Sequence, residues 1–312
     1  LQIKFLGVNE TGSMARYYAY MTIAALLWGG SFVGTKIALT SIAPMTLIFL
    51  RYIIGGIIVI IASRFIKIQR IEKTDMKWLF LLCIFEPGLY FLFETYGIKE
   101  TDPTIAALII ALIPVFVLII ASFIGLEHIT ISKVSGIILS IIGVFIISIS
   151  ANNMGTEIKS TTRGIILILM ATITASSFTV LLSRLARKYS SFTLASFQII
   201  FTIIFYIPLA LYENYPSYHF DWDTRSTLAL LYLGIFPTFF AYLLYAKGLS
   251  KIDSSVGSLF TNLIPIFTAI ISGFFLGTSP TLYTLAGGIL IILGVSLVTR
   301  KRELDIDIPL TT

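Results

Sequence analysis

Leu112-Ile113-Pro114-Val115-Phe116 and Leu263-Ile264-Pro265-Ile266-Phe267 are near copies of one another, 151 residues apart. The same shift lays Gly97 on Gly248, Asp102 on Asp253, Gly136 on Gly287 and Gly143 on Gly294. Leu79, Ile84, Phe85, Leu139 and Val144 also meet their own residue type. A register held over roughly seventy residues is an internal repeat, and a repeat constrains the fold before any local propensity does. Each proline sits near the middle of a long apolar run, so the chain reads as two copies of one membrane unit, with the same helix broken in both.

The composition supports that reading. Of 312 residues, 57% are hydrophobic and only 12% charged, where a soluble domain carries about 25% charged residues. Mean hydropathy is +0.94. Ten apolar runs recur, at about 17–38, 44–63, 78–97, 104–124, 132–150, 164–183, 192–212, 226–246, 254–276 and 282–299. Their length suits membrane helices, whereas barrel strands are short and alternate. The expected fold is an all-α integral membrane protein of ten transmembrane helices, built as two five-helix repeats. The expected segments are a cytoplasmic N-terminal stretch at 1–16, repeats at 17–150 and 164–300, a linker at 151–163 and a tail at 301–312. Met14-Ala15-Arg16 reads as a natural start, which would leave residues 1–13 outside the working protein. No stretch near the N-terminus has the layout of a signal peptide.

Lys and Arg set the orientation. With the N-terminus inside, sixteen fall on the inner side, five on the outer, and Arg51 lies within the bilayer. Both termini are therefore expected in the cytoplasm of a cell carrying this protein in its cytoplasmic membrane. The net charge of +6 serves the membrane surface rather than a nucleic acid. An odd number of helices per copy forces the second copy to enter from the opposite side. That makes an inverted repeat, the layout of many secondary transporters.

Several chemistries are poorly served. Cys83 is the sole cysteine, so no disulfide or thiolate cluster forms within one chain. The two histidines, His128 and His219, fall in loops on opposite sides, with no metal-ligand spacing around them. No metal, cofactor or catalytic set is expected. Gly29 to Lys36 approaches a nucleotide-binding loop, but the order Thr35-Lys36 is reversed and no strand precedes it. A membrane-embedded or lipid-modifying enzyme lacks a nucleophile, and a passive accessory subunit has little use for inward-facing charges.

Glu86-Pro87 lies near the centre of the third span. A charge there costs about 2.5–3.5 kcal/mol on insertion scales, so Glu86 must face protein or water. It has three candidate roles: proton coupling, binding a substrate amine, or pairing with Arg51. Tyr90 and Glu94 follow on the same wall, with Glu94 nearer the outer interface and expected to be solvated. Lys36 is placed to snorkel and is also a candidate substrate or coupling residue. Trp28 is either packing or cavity wall. Asn262 shares a face with Pro265 and bonds either a neighbouring helix or a substrate. Ser176 stands at the matching place in the sixth span. Tyr242 and Tyr245 mark the end of the eighth span, where interfacial anchoring is the default for tyrosine, and Tyr242 is also a candidate substrate or coupling residue. Pro87, Pro114, Pro237 and Pro265 are candidate hinges. The glycines at 136, 143, 287 and 294 read as close helix packing.

Leu27-Trp28-Gly29-x-x-Phe32 with Lys36, Pro44 and Phe49-Leu50-Arg51-Tyr52 resembles the opening of EamA-type carriers of the drug/metabolite transporter superfamily. Ala106 with Pro114, and its copy around Pro265, resembles the fourth helix of each EamA repeat. The resemblance spans about 17–300 and departs at the sixth span, where Ala175-Ser176 replaces Trp-Gly. It implies ten helices around a central cavity, with the fifth and tenth at the periphery. It also implies export or exchange of small organic metabolites, often amino acids, by a monomer or homodimer, with protons as a candidate coupling ion.

Overall fold

A computed structural model describes residues 8–124, 131–151, 160–214, 222–252, 257–258, 260–278 and 280–299. His128, His219, Asp253, residues 1–7 and the basic run at 300–302 lie outside the described residues. The described chain is helical, with no strand. Its helices are α1 (Val8–Ala38), α2 (Pro44–Ala62), α3 (Lys73–Lys99), α4 (Pro103–Ile110, resuming as Ile113–Phe123) and α5 (Ile131–Ala151). The second set is α6 (Thr162–Leu185), α7 (Ser191–Asn214), α8 (Thr224–Leu249), α9 (Phe260–Leu276) and α10 (Leu282–Thr299). Seven are long and apolar enough to cross a membrane, and α5, α9 and α10 contribute shorter apolar stretches.

The breaks fall where proline demands them. In α3 a π-helical segment, Ile84–Leu89, surrounds Pro87, and the preceding Glu86 is extended at φ −149°, ψ 122°. Proline lacks an N–H and crowds the α-conformation of the residue before it. The Glu86–Pro87 peptide is cis. In α8 the π-helical segment Phe236–Ala241 contains Pro237. Pro114 and Pro265 act differently. Each occupies the first turn of a fresh helix, Ile113–Phe123 and Ile264–Leu276, where its missing N–H leaves no bond unmade. The interruption lies just before each of them, as a turn at Ala111–Leu112 and a 3₁₀ turn at Phe260–Leu263.

Packing follows the repeat. α1 lies against α8 and α9, while its counterpart α6 lies against α3 and α4; α2 pairs with α7, α4 with α9 and α5 with α10. Matched glycines sit at matched approaches. A Cβ on Gly97 would stand 2.5 Å from Ile168 of α6, and one on Gly248 would stand 2.1 Å from Met21 of α1. Met21 and Ile168 are themselves equivalent, 147 residues apart. The α5–α10 contact brings backbone against backbone: a Cβ on Gly143 would meet the Gly287 carbonyl at 2.6 Å, and one on Gly294 the Gly136 carbonyl at 2.5 Å. Large apolar side chains such as Ile60, Ile141, Ile204 and Phe274 point outward, as they do where the surrounding solvent is hydrocarbon. The buried charges, Arg51, Glu86 and Glu94, gather inside.

Candidate functional site

Between the interrupted helices is a cavity of about 30 Å³, room for about one or two water molecules. Its walls come in equivalent pairs. Trp28, Ser31 and Phe32 of α1 line it with Ala175, Phe178 and Thr179 of α6, each pair 147 residues apart. Ile110 and Ile113 of α4 are matched by Thr261 and Ile264 of α9, and Phe91 and Glu94 of α3 by Tyr242 and Tyr245 of α8, all 151 apart. Position is symmetric and chemistry is not. Every charge on the wall, from Arg51, Glu86 and Glu94, comes from the first repeat.

Glu86 is 6% exposed. Its Oε1 accepts a hydrogen bond from the Tyr242 hydroxyl. The carbonyls around the α3 break are also occupied. Gln198 Nε2 donates to the Glu86 carbonyl at 3.3 Å, and the Tyr206 hydroxyl donates to the Gly88 carbonyl. Backbone groups freed in hydrocarbon must find partners inside the protein, and α7 supplies them.

Arg51 is 1% exposed. Its Nε donates to Thr238 Oγ1 at 2.8 Å, and its guanidinium carbon stands 4.5 Å from the Phe91 ring centroid. Among the described residues no N···O contact within 4.0 Å joins Arg51 to either acid. Of the three candidate roles of Glu86, the ion pair with Arg51 is therefore not formed. Arg51 reaches instead to the π-helical segment of α8.

Four further expectations are corrected. Glu94 is 1% exposed, accepts from Thr95 Oγ1 at 3.4 Å and lines the cavity, because the C-terminal part of α3 is covered by α6. Tyr242 and Tyr245 are buried cavity residues rather than interfacial anchors: the α8 break turns both toward Trp28, with ring centroids 5.5 and 4.9 Å away. Lys36 does not snorkel. Its ammonium donates to the carbonyls of Ile98, Lys99 and Thr101 at 2.8, 3.1 and 3.0 Å, closing the C-terminal end of α3, where a cation also meets the helix dipole. Ser176 donates to the Ile113 and Thr172 carbonyls at 3.2 and 2.7 Å; it ties α6 to the α4 break and is not on the cavity wall.

Trp28 is cavity wall, and Tyr90 lines the cavity beside it, its ring edge-on to Phe91 at 4.9 Å. Asn262 stands next to the lining residue Thr261, and its Oδ1 is enclosed with no hydrogen-bond partner among the described residues. The structure thus brings Trp28, Arg51, Glu86, Tyr90, Glu94 and Tyr242 to one cavity and leaves Lys36, Ser176 and Asn262 off its wall.

A family model described as the EamA-like transporter family matches this chain twice, over residues 15–149 and 162–300. The chain belongs to the EamA-like transporter family. Two uncharacterized transporters of Archaeoglobus fulgidus are 30% and 29% identical to it, covering 90% and 93% of this chain and 98% and 99% of their own. The uncharacterized transporter YdfC of Bacillus subtilis is 26% identical over 86% of each chain. A solved crystal structure superposes with a TM-score of 0.65 at 19% identity, covering 91% of this chain and 96% of that one. At that identity it speaks for the fold alone. The chain is accordingly a multi-pass membrane transporter that works within a lipid bilayer on a small-molecule substrate.

In this EamA-like carrier the sequence reading missed Phe178, Thr179, Tyr245 and Thr238. The signal for Tyr245 was present: at the shift of 151 it is the counterpart of Glu94. Phe178 and Thr179 needed the second register of 147, which differs because the chain between the first and third helices of each half is of unequal length. Thr238 is visible only through its contact with Arg51, a relation across 187 positions.

Proposed function

We propose that the chain exports or exchanges small organic metabolites, amino acids or related compounds, across the cytoplasmic membrane by alternating access, with Glu86 as the proton-coupling group. One observation carries this reading: a small cavity between two inverted halves holds three buried charges, and four of the helices that line it, α3, α4, α8 and α9, are interrupted beside prolines in corresponding parts of the two repeats. Interrupted helices at matching places in two repeats mark transporter sites. A cavity of about 30 Å³ has room for about two waters, each needing about 10–15 Å³ on the same measure, and is too small for a metabolite. The described arrangement therefore suits the closed point of the cycle, and the halves part to admit substrate.

Both termini are placed in the cytoplasm, as the Lys and Arg balance favours. In a Cys83→Ala background, an impermeant thiol reagent applied to whole cells is expected to label Lys99→Cys and spare Arg70→Cys. The reverse pattern would invert the orientation.

Liposomes holding the full chain test the transport reading. Glu86→Gln is expected to abolish uphill movement driven by a proton gradient while sparing counterflow of labelled for unlabelled substrate, because exchange needs no net proton movement. Unaltered uphill transport in a stable Glu86→Gln protein would remove Glu86 from coupling. Absence of saturable flux for every metabolite offered would remove the metabolite reading.

A further inference from the structure

We propose that the groove where the α2–α3, α6–α7 and α8–α9 connections meet binds the phosphate of an acidic phospholipid headgroup, and that the bound headgroup holds this face of the carrier shut. The groove shares no residue with the central cavity, and the proposal does not depend on which solute the carrier moves.

Shape and charge come first. The groove has a volume of about 340 Å³, inside the range of small-ligand sites, about 300–1,000 Å³. Gln69 reaches it from the first connection, residues 186–191 from the second, and Ser250 and Lys251 from the third. Its charged wall residues are Arg187, Lys188 and Lys251, and among the described residues no carboxylate lines it. Two acids stand behind the wall: Glu72 and Asp75 hold the Lys188 ammonium at 2.6 and 2.7 Å. The positive excess survives a wider count. Residues 63–72, 186–190 and 250–259 together carry six Lys and Arg against Glu72 and Asp253. The 24-residue helix α7 adds its own end. It starts at Ser191 on the groove wall, after Ser190, whose Oγ accepts from the Thr193 amide at 3.2 Å. The positive end of a helix dipole suits a phosphate.

Position points to a lipid. The groove lies just beyond the ends of α6 at Leu185 and α8 at Leu249, both long and apolar enough to cross the bilayer. On the same face Trp78, in the second turn of α3, has the Lys77 ammonium and the Arg184 guanidinium 5.2 and 5.3 Å from its ring centroid. A tryptophan among cations marks the headgroup level. Basic pockets between membrane helices on the cytoplasmic side take acidic headgroups, and the orientation proposed above puts this face there. The groove also sits on the α2–α7 contact, because the Ser190 amide donates to Gln69 Oε1 at 2.6 Å. An occupant held by three connections at once loses partners when those connections part. Its affinity is therefore higher for the closed arrangement of this face, and a ligand shifts an equilibrium toward the form it binds better.

The test titrates three water-soluble probes against the thermal unfolding midpoint of the full chain in detergent, since binding to the folded state raises it. The probes are dihexanoyl phosphatidylglycerol, dihexanoyl phosphatidylcholine and inorganic phosphate. Phosphatidylglycerol is expected to bind at least about tenfold more tightly than either of the others, because it alone joins a net negative phosphate to a body that fills the groove. Arg187→Gln with Lys251→Gln is expected to weaken it by about tenfold or more, at about fivefold per cation. Arg64→Gln with Lys67→Gln removes the same charge from residues off the groove wall and is expected to weaken it by less than about twofold, because solvent screens distant charges. Equal weakening in both double variants would mean diffuse attraction to a basic face and would overturn the site. So would phosphatidylcholine binding as tightly as phosphatidylglycerol. Phosphate binding as tightly would overturn the lipid as its source. The comparison of probes on the unaltered chain needs no variant to fold. The closing role is read in sealed, oriented phosphatidylcholine vesicles with and without phosphatidylglycerol. The acidic lipid is expected to slow labelling of Ser31→Cys, in a Cys83→Ala background, from the groove face alone. An unchanged rate there would overturn that role. Solute flux without any lipid preference would remove this site and leave the carrier reading intact.

Discussion

The hydroxyl of Tyr242 donates to Oε1 of Glu86, and so joins the break in α3 to the helix that carries the equivalent break in the other half. The bond crosses the repeat. Any motion that separates α3 from α8 must break it or carry both groups together.

Tyr242→Phe keeps the ring packed on Trp28 and Phe178 and removes only the donor. A buried oxygen left without its partner costs about 1–3 kcal/mol. The variant is expected to unfold at lower denaturant and to exchange substrate more slowly. Full stability together with full counterflow would show that the bond does neither job.

Arg51 has a comparable tie to Thr238. A hydrogen bond to a charged group contributes about 1.5–3 kcal/mol, so Thr238→Val should lower stability by that order. Thr238→Ser keeps the hydroxyl and is expected to recover most of it. Equal loss in both variants would point to the methyl group and its packing instead of the bond. The rescue is read by chemical denaturation in nanodiscs.

What the sequence disclosed and what it hid have physical causes. Periodicity and length are local, so the ten spans, the repeat and the proline interruptions could be read directly. Small residues at seven-residue spacing mark α5 and α10 as closely packed helices, but that they pack on each other is a contact between the two repeats that the spacing does not show. Partners across the repeat are not local. Glu86 and Arg51 looked like natural counter-charges because both lie in the bilayer, yet Arg51 is taken by Thr238 and Phe91 on another helix. Depth along their helices alone puts Glu94 and the two tyrosines of α8 at the interface. A π-helical turn changes which face a helix presents beyond it, and all three lie just past such a turn.

The glycine seam yields a third prediction. At Gly143 and Gly294 a Cβ would meet backbone carbonyl oxygen, which cannot rotate away. Gly143→Ala and Gly294→Ala are expected to push α5 from α10 and to destabilise by about 1–3 kcal/mol, the usual range for overpacking. Gly97→Ala meets the end of a flexible isoleucine side chain as its nearest neighbour and should lose less. Substrate affinity is expected to be unchanged in the two seam variants, because α5 and α10 contribute no residue to the cavity wall. A loss of affinity without a loss of stability would place this pair in the transport path.

The last prediction concerns the two ends of the α2–α7 pair, where each helix's end holds the other's start. At one end Glu213, near the C-terminus of α7, accepts from the Met45 and Thr46 backbone amides at 2.8 and 3.0 Å and from the Tyr96 hydroxyl at 3.3 Å. It caps α2 and holds α3 beside it. At the other end Gln69, beyond the C-terminus of α2, accepts from the Ser190 amide at 2.6 Å at the start of α7. There Lys188 bridges Glu72 and Asp75 at 2.6 and 2.7 Å, and Tyr189 donates to Asp75 at 2.7 Å. The two carboxylates hold the Lys188 ammonium well above its ordinary pKa. In an inverted repeat these two ends are equivalent fastenings on opposite faces of the membrane. Loosening one should favour opening on its own face. A lost cap is worth about 0.5–2 kcal/mol, so a change of about 1 kcal/mol moves the ratio of the two open forms by about fivefold. Glu213→Ala is expected to expose a cysteine at Ser31, on the cavity wall, to reagent from the α3 C-terminal face. Lys188→Ala with Gln69→Ala should expose it from the opposite face. Labelling rates from each side of sealed, oriented vesicles would report both shifts. Movement in the same direction in both variants would mean that the fastenings do not oppose one another, and that opening is governed by the cavity itself.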